Sequence, residues 1–402
     1  MADRLHFAIR KNTMRATTLG LWLLLVGPLA ADEFPTFREV VIDPQIGKVC
    51  YAVLPADVNG DGKPDIVAVS ENRVQWYENP SWQKHVILEN QVELDHVCLA
   101  PYDIDGDGQL DFALGAGWTK LGTLYWIRRG ENPSDKWHVH LIGKESWLHR
   151  LSFADVLATG RSQLVISPLN KTRGAGVALT AFQIPANPTT DRWEPVVLDD
   201  SLDRLHGHVH WDWNADGRID TLTASREGIS VIQGEPDGFR RIPLGLGAES
   251  EQPDLRGSGE IKVGRLSDGQ RFLATVEPMH GTTVAIYTQQ PEQGLWRRLV
   301  LEEGLQQGHA VWTANLDNDP EDEVIVGHRE AGRGPQPGPG LYVYDCTDAA
   351  SGVWTKRIVD HQGIAVEDAF GADLNGDGRI DLVAGGRATR NVKLYLNEGP
   401  AR

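Results

Sequence analysis

The chain has 402 residues and a formal net charge of −17, with 41% hydrophobic residues, 13 Trp, 43 Gly and 22 Pro. The apolar content excludes a disordered chain, and the glycine and proline content argues against a long helical bundle. The acidity sets nucleic acid aside, because a phosphate backbone is bound through lysine and arginine.

The N-terminus has the layout of a secretory signal. Arg4, Arg10, Lys11 and Arg15 precede an apolar run from Leu19 to Leu29, and the small pair Ala30 and Ala31 follows. The run is short for a bilayer span. Residues 1–31 are therefore expected to be removed, leaving 32–402 as a mature protein that is secreted, periplasmic or at the cell surface, with no membrane span. Three cysteines cannot build a disulfide framework. Cys50 and Cys98 precede neighbouring repeats, and whether they pair is left open.

From Ala56 onward one unit recurs seven times. Its clear copies are ADVNGDGKPDIVAV from Ala56, YDIDGDGQLDFALG from Tyr102, WDWNADGRIDTLTA from Trp211, ANLDNDPEDEVIVG from Ala314 and ADLNGDGRIDLVAG from Ala372. Two worn copies start at Ala154 and Gly264. The period is about 53 residues, which suits a four-stranded propeller blade. Each unit ends in an aromatic-led strand, such as WQKHVILE from Trp82 or WRRLVLEE from Trp296. The chain begins with such a strand, FREVVID from Phe37, and ends without one. The sequence thus predicts an all-β, seven-bladed β-propeller in which the N-terminal strand closes the last blade and removes the exposed sheet edges.

These repeats resemble the FG-GAP or VCBS type of propeller blade. The resemblance implies a calcium-bearing scaffold and leaves function open, since propellers host many activities.

The spacing D-x-[DN]-x-D-G-x-x-[DE] places oxygen ligands at alternate positions of a tight loop, which suits a hard cation needing six to eight oxygens. Five structural calcium sites are expected: Asp57, Asn59, Asp61 and Asp65; Asp103, Asp105, Asp107 and Asp111; Asp212, Asn214, Asp216 and Asp220; Asn315, Asp317, Asp319 and Glu323; Asp373, Asn375, Asp377 and Asp381. The bland reading of the same residues is a set of solvated Asp-Gly turns.

In a propeller the innermost strand of each blade lines the central channel. Six residues before each loop anchor stand Tyr51, Val97, His149, His206, Gly259, His309 and Glu367, with Asp95, His96, His208, Glu260 and Asp368 beside them. The turns between second and third strands bring Trp118, Lys171, Arg226, His280, Arg329 and Arg387 to the same face. A wet funnel is expected there, with His149, His206, His309 and Glu367 holding one transition metal or magnesium. Trp118, Lys171, Arg329 and Arg387 are the expected substrate-binding residues. A polar plug of the channel is the alternative.

The lead-ins HRLSFAD from His149 and HAVWTAN from His309 resemble the propeller portion of the aldos-2-ulose dehydratase family. That resemblance implies a metal-assisted carbohydrate lyase or dehydratase acting on a keto sugar. His206 or His208 would be the base and Glu367 a ligand or acid. On a uronic oligosaccharide, Tyr51 would be the acid or base and Arg329 or Arg387 would neutralise the carboxylate. The competing expectation is a non-catalytic module for a glycan or protein partner.

Overall fold

The computed structural model describes residues 34–119, 122–171, 174–290, 294–333, 337–348 and 352–400. The expected signal, residues 1–31, lies outside them. Among the described residues no helix is long and apolar enough to cross a membrane.

Seven four-stranded antiparallel sheets make up the fold. The innermost strands of blades 1 to 7 are Cys50–Ala56, Cys98–Tyr102, Leu148–Ala154, Leu205–Trp211, Ile261–Arg265, Gly308–Ala314 and Val366–Ala372. Strand Pro35–Asp43 pairs with Val392–Pro400, so the N-terminus supplies the outer strand of blade 7. The offset register of the repeats is explained by this closure, and the seven-bladed propeller is the observed architecture.

The apolar residues form a core at each junction between neighbouring blades. Trp76 of blade 1 packs with Phe112 and Trp137 of blade 2, and Phe272 of blade 5 with Tyr342 and Tyr344 of blade 6. Leading aromatics such as Trp137 and Trp193 are buried in these seams. Full burial of such side chains contributes about 1.5–3 kcal/mol each, which makes every junction an adhesive surface.

The acidic loops are organised by their first and last acids. Asp57 accepts the backbone N–H groups of Gly60, Asp61 and Gly62, and Asp103 and Asp373 repeat the pattern. The last acid is buried at the start of the second strand. Asp65 accepts from Val58 and Asn79, Asp111 from Ile104 and Arg129, and Asp381 from Leu374 and Asn397. In the worn third loop Gln163 takes this place by accepting from the Leu157 N–H. Burial pushes Asp65 up to about 6 and Asp111 up to about 7. A carboxylate in that position braces the blade in its own right.

The fourth residue of the loop requires a left-handed backbone. Gly60 has φ +80°, while blade 4 places Ala215 there at φ +57°. Such a conformation costs an L-residue about 1–2 kcal/mol. Ala215→Gly is expected to stabilise the protein by about 0.5–1 kcal/mol, since glycine's own entropy offsets part of the relief. Urea denaturation measures this directly, and a lower midpoint would contradict the assignment of strain.

Candidate metal centre and channel cavity

The side chains on the axis are set by a repeated irregularity. In five blades the first and second strands slip register between residues flanking Tyr51, His149, His206, His309 and Glu367. A bulge of this kind sets two residues against one and re-aims the extra side chain. The bulged residues are five of the seven that the count back from the acidic loops gives, Val97 and Gly259 being the other two.

Three of these converge. His149, His206 and His309, joined by His280 from the turn after Glu277, place ring nitrogens within 4.8 Å of one another. The His149 Nδ1–H donates to the His206 carbonyl at 2.9 Å, and the His309 Nδ1–H donates to the Glu367 carbonyl. Both bonds fix the tautomer that leaves Nε2 as a lone pair. The His309 Nε2 is buried with no hydrogen-bond partner among the described residues. The Nε2 atoms of His206 and His280 lie 2.8 Å apart, a separation that needs a shared proton or a shared cation. Burial, the largest cause, and neighbouring arginines push all four rings below the usual histidine range, so they are neutral donors. Four neutral imidazoles fit a borderline ion such as zinc, cobalt or nickel, whereas calcium and magnesium prefer oxygen.

The structure corrects the expected arrangement on several points. Glu367 is not with the histidines: its carboxylate takes Arg329 at 2.8 Å and Arg387 at 2.9 Å, and its place in the cluster is filled by His280. His149, His206, His309 and Glu367 are each no more than 4% exposed, so the wet funnel expected around them is not observed, and His280 is the half-buried member of the cluster. His208 is bonded to Ser152 and Ser167, away from the four rings. Tyr51 donates to Asp95 and stacks beneath Arg387. Trp118 meets Trp147 edge-on, and Lys171 lies 3.6 Å from Asp203. Those four do not share a site with the histidines. Cys50 and Cys98 are buried free thiols.

Among the expected calcium ligands, Asp103, Asp105 and Asp111 come together. Asp317 and Glu323 instead gather with Asp345, from the third strand of blade 6. In the other loops the carboxylates turn to backbone N–H groups and to neighbours, as Asp377 does to Arg379.

The residues next along the inner strands face a cavity of about 510 Å³ on the axis. Arg150, Glu260 and Asp368 line it at the histidine end, Lys262 and Trp312 line its middle, and Tyr102 and Phe153 line it nearest the acidic loops. Glu260 accepts from Arg150, and its Oε1 lies 3.1 Å from the His206 Nδ1, so one carboxylate joins cavity and cluster. Tyr102 stacks on Phe153 at 4.6 Å, and the Lys262 ammonium sits over Trp312. Burial pushes Asp368 up to about 6. Arg150 and Lys262 escaped the sequence reading because it picked out imidazoles and carboxylates at and beside this position as ligands or acid–base groups, and passed over the cations.

Two comparisons with known proteins bear on this site. A family model described as the aldos-2-ulose dehydratase β-propeller domain matches residues 121–290. Aldos-2-ulose dehydratase of Phanerodontia chrysosporium is 25% identical over 266 residues, 60% of this chain and 29% of that protein. Part of this propeller is similar to the propeller of aldos-2-ulose dehydratase. The matched residues include His149, His206 and His280 with Arg150, Glu260 and Lys262. A second model, for an FG-GAP-like repeat, matches residues 57–114. The aligned part spans less than a third of the fungal relative.

Buried histidines also contribute to the pH dependence of stability. Burial pushes His96 and His210 down to about 4. Each then binds fewer protons folded than unfolded below about 6.5, so its contribution is present above that pH and lost as pH falls toward 4. His96→Leu is expected to remove about one proton from the uptake on unfolding at pH 5. The acid limb of its Tm against pH curve is then flatter than in the wild type; an unchanged slope would show that His96 titrates normally when folded.

Proposed function

We propose that the chain is a secreted carbohydrate dehydratase that eliminates water from a keto sugar held in the axial cavity. The observation that carries this reading is the Arg150–Glu260 pair, which joins an aromatic and charged cavity to a cluster of four neutral imidazoles, three of them, His149, His206 and His280, within the segment matched by the dehydratase propeller model.

The cavity volume suits one or two sugar rings, whose C–H faces pack on Tyr102, Phe153 and Trp312. Lys262 and Arg150 are the cations placed to attract the carbonyl oxygen and the enolate that forms from it. A divalent ion held by His149, His206, His280 and His309 would supply Lewis acidity. Asp368, held by the Val53 and Ala369 N–H groups, is the base. Its carboxylate takes the proton from the carbon next to the carbonyl, the electron pair of that C–H bond becomes the new C=C bond, and the β-hydroxyl leaves. The same carboxyl returns the proton to the departing hydroxide, so the substrate loses one water and Asp368 is regenerated. Calcium in the acidic loops would neutralise their clustered carboxylates and hold the first two strands of each blade.

Incubation with an aldos-2-ulose, followed by ultraviolet absorbance of the conjugated enone, tests this. The wild type is expected to form the product, and Asp368→Asn to do so at least about a hundredfold more slowly with an unchanged melting temperature. Equal rates in the two proteins would remove Asp368 from the reaction, and no product from metal-loaded wild type would reject the dehydratase reading.

A further inference from the structure

A second cavity of about 510 Å³ lies at the opposite end of the inner strands from the acidic loops, between the lead-in to blade 1 and the turns of blades 6 and 7. Lys48, Arg329, Arg387 and Arg390 line it, and Glu330 is the one acid among its walls. In a chain of net charge −17 such a concentration of cations runs against the surrounding field. Glu367, buried beneath, occupies parts of Arg329 and Arg387. Lys48 and Arg390 have no ion pair among the described residues. The nearby Glu71 carboxylate is turned to the Lys48 backbone N–H at 2.9 Å.

The walls are fixed before any ligand arrives. The Arg329 N–H donates to the Gln307 carbonyl at 3.1 Å, the Arg387 N–H to Ala365 at 2.7 Å, and the Arg390 carbonyl accepts from Ile46 at 2.9 Å. Arg329 is only 12% exposed and pinned by Glu367, so its guanidinium is oriented without further entropic cost. Lys48 and Arg390 are exposed at the rim, where they raise the local anion concentration.

We infer that this pocket is a second ligand site, distinct from the axial cavity, for a small organic oxyanion the size of a sugar acid or a sugar phosphate. Four cations against the carboxylates of Glu330 and Glu367 leave an excess of positive charge for one such group, and guanidinium forks match carboxylate and phosphate oxygens alike. An acidic protein repels these ligands elsewhere on its surface, so the pocket gives selectivity as well as affinity.

Isothermal titration at low salt with D-glucuronate and with glucose 6-phosphate tests the site, using wild type, the Lys48→Glu, Arg390→Glu double variant, and Asp368→Asn. At least one anion is expected to bind wild type and to bind the double variant at least tenfold more weakly, the stronger of the two identifying the oxyanion. Raising sodium chloride from 50 to 500 mM is expected to weaken wild-type binding, which checks the electrostatics without any substitution. Asp368→Asn is expected to bind as wild type does, which separates this site from the proposed reaction. Binding unaltered by the double variant and by salt, or no binding of either anion to wild type, would overturn the inference.

Discussion

The His206→Ala, His309→Ala double variant is expected to lose a bound transition metal entirely and to fall at least about a hundredfold in dehydratase rate. It is also expected to be less stable than the wild type. Both rings are buried, and truncating His309 leaves the Glu367 carbonyl without its donor. Lost packing and an unpaired carbonyl cost about 2–4 kcal/mol, which a large propeller with seven interblade cores can absorb. The variant should therefore retain its circular dichroism spectrum while melting several degrees lower. A melting point equal to wild type would mean that the imidazoles are solvated rather than sealed. Full activity would show that the cluster has no part in the chemistry.

Arg150→Ala has the second large effect expected. Glu260 is 6% exposed on its side chain and faces Arg150 directly. Removal of the arginine leaves a buried carboxylate without its direct ion-pair partner and with only Lys262 as a charge of opposite sign nearby, at a cost of about 3 kcal/mol. Truncating both partners removes the uncompensated charge, so Arg150→Ala, Glu260→Ala should recover most of that loss. The urea midpoints of the wild type, the two single variants and the double variant close the cycle. Additive losses would show that the pair does not interact, and that the carboxylate joining the cavity to the cluster is held by something else.

The blade count was readable because the repeat carries its own ruler. One ligand spacing recurs every 53 or so residues, and Phe37 opens a strand that only Val392–Pro400 can complete. The position of the histidines was readable for the same reason, since a fixed distance from the loop anchor marks the same place in every blade. Their burial was not. It depends on seven strands closing around the axis, a long-range packing property that no local pattern encodes. The bulge was equally hidden, because it breaks the alternation by which inward-facing residues are counted. Glu367 was misread as a ligand although its partners, Arg329 and Arg387, were both in view. An arginine pair satisfies a buried carboxylate's oxygens outright. His280 reaches the cluster from a turn, where sequence shows the residue and its face but not its reach.

Elemental analysis of the purified protein decides whether the four imidazoles are a metal centre. After dialysis against calcium buffer, one transition metal per chain is expected in addition to calcium, and none in the His206→Ala, His309→Ala protein handled in parallel. Calcium alone in the wild type, after an attempt to load zinc, cobalt or nickel, would contradict the account and leave the histidines as a polar plug of the channel.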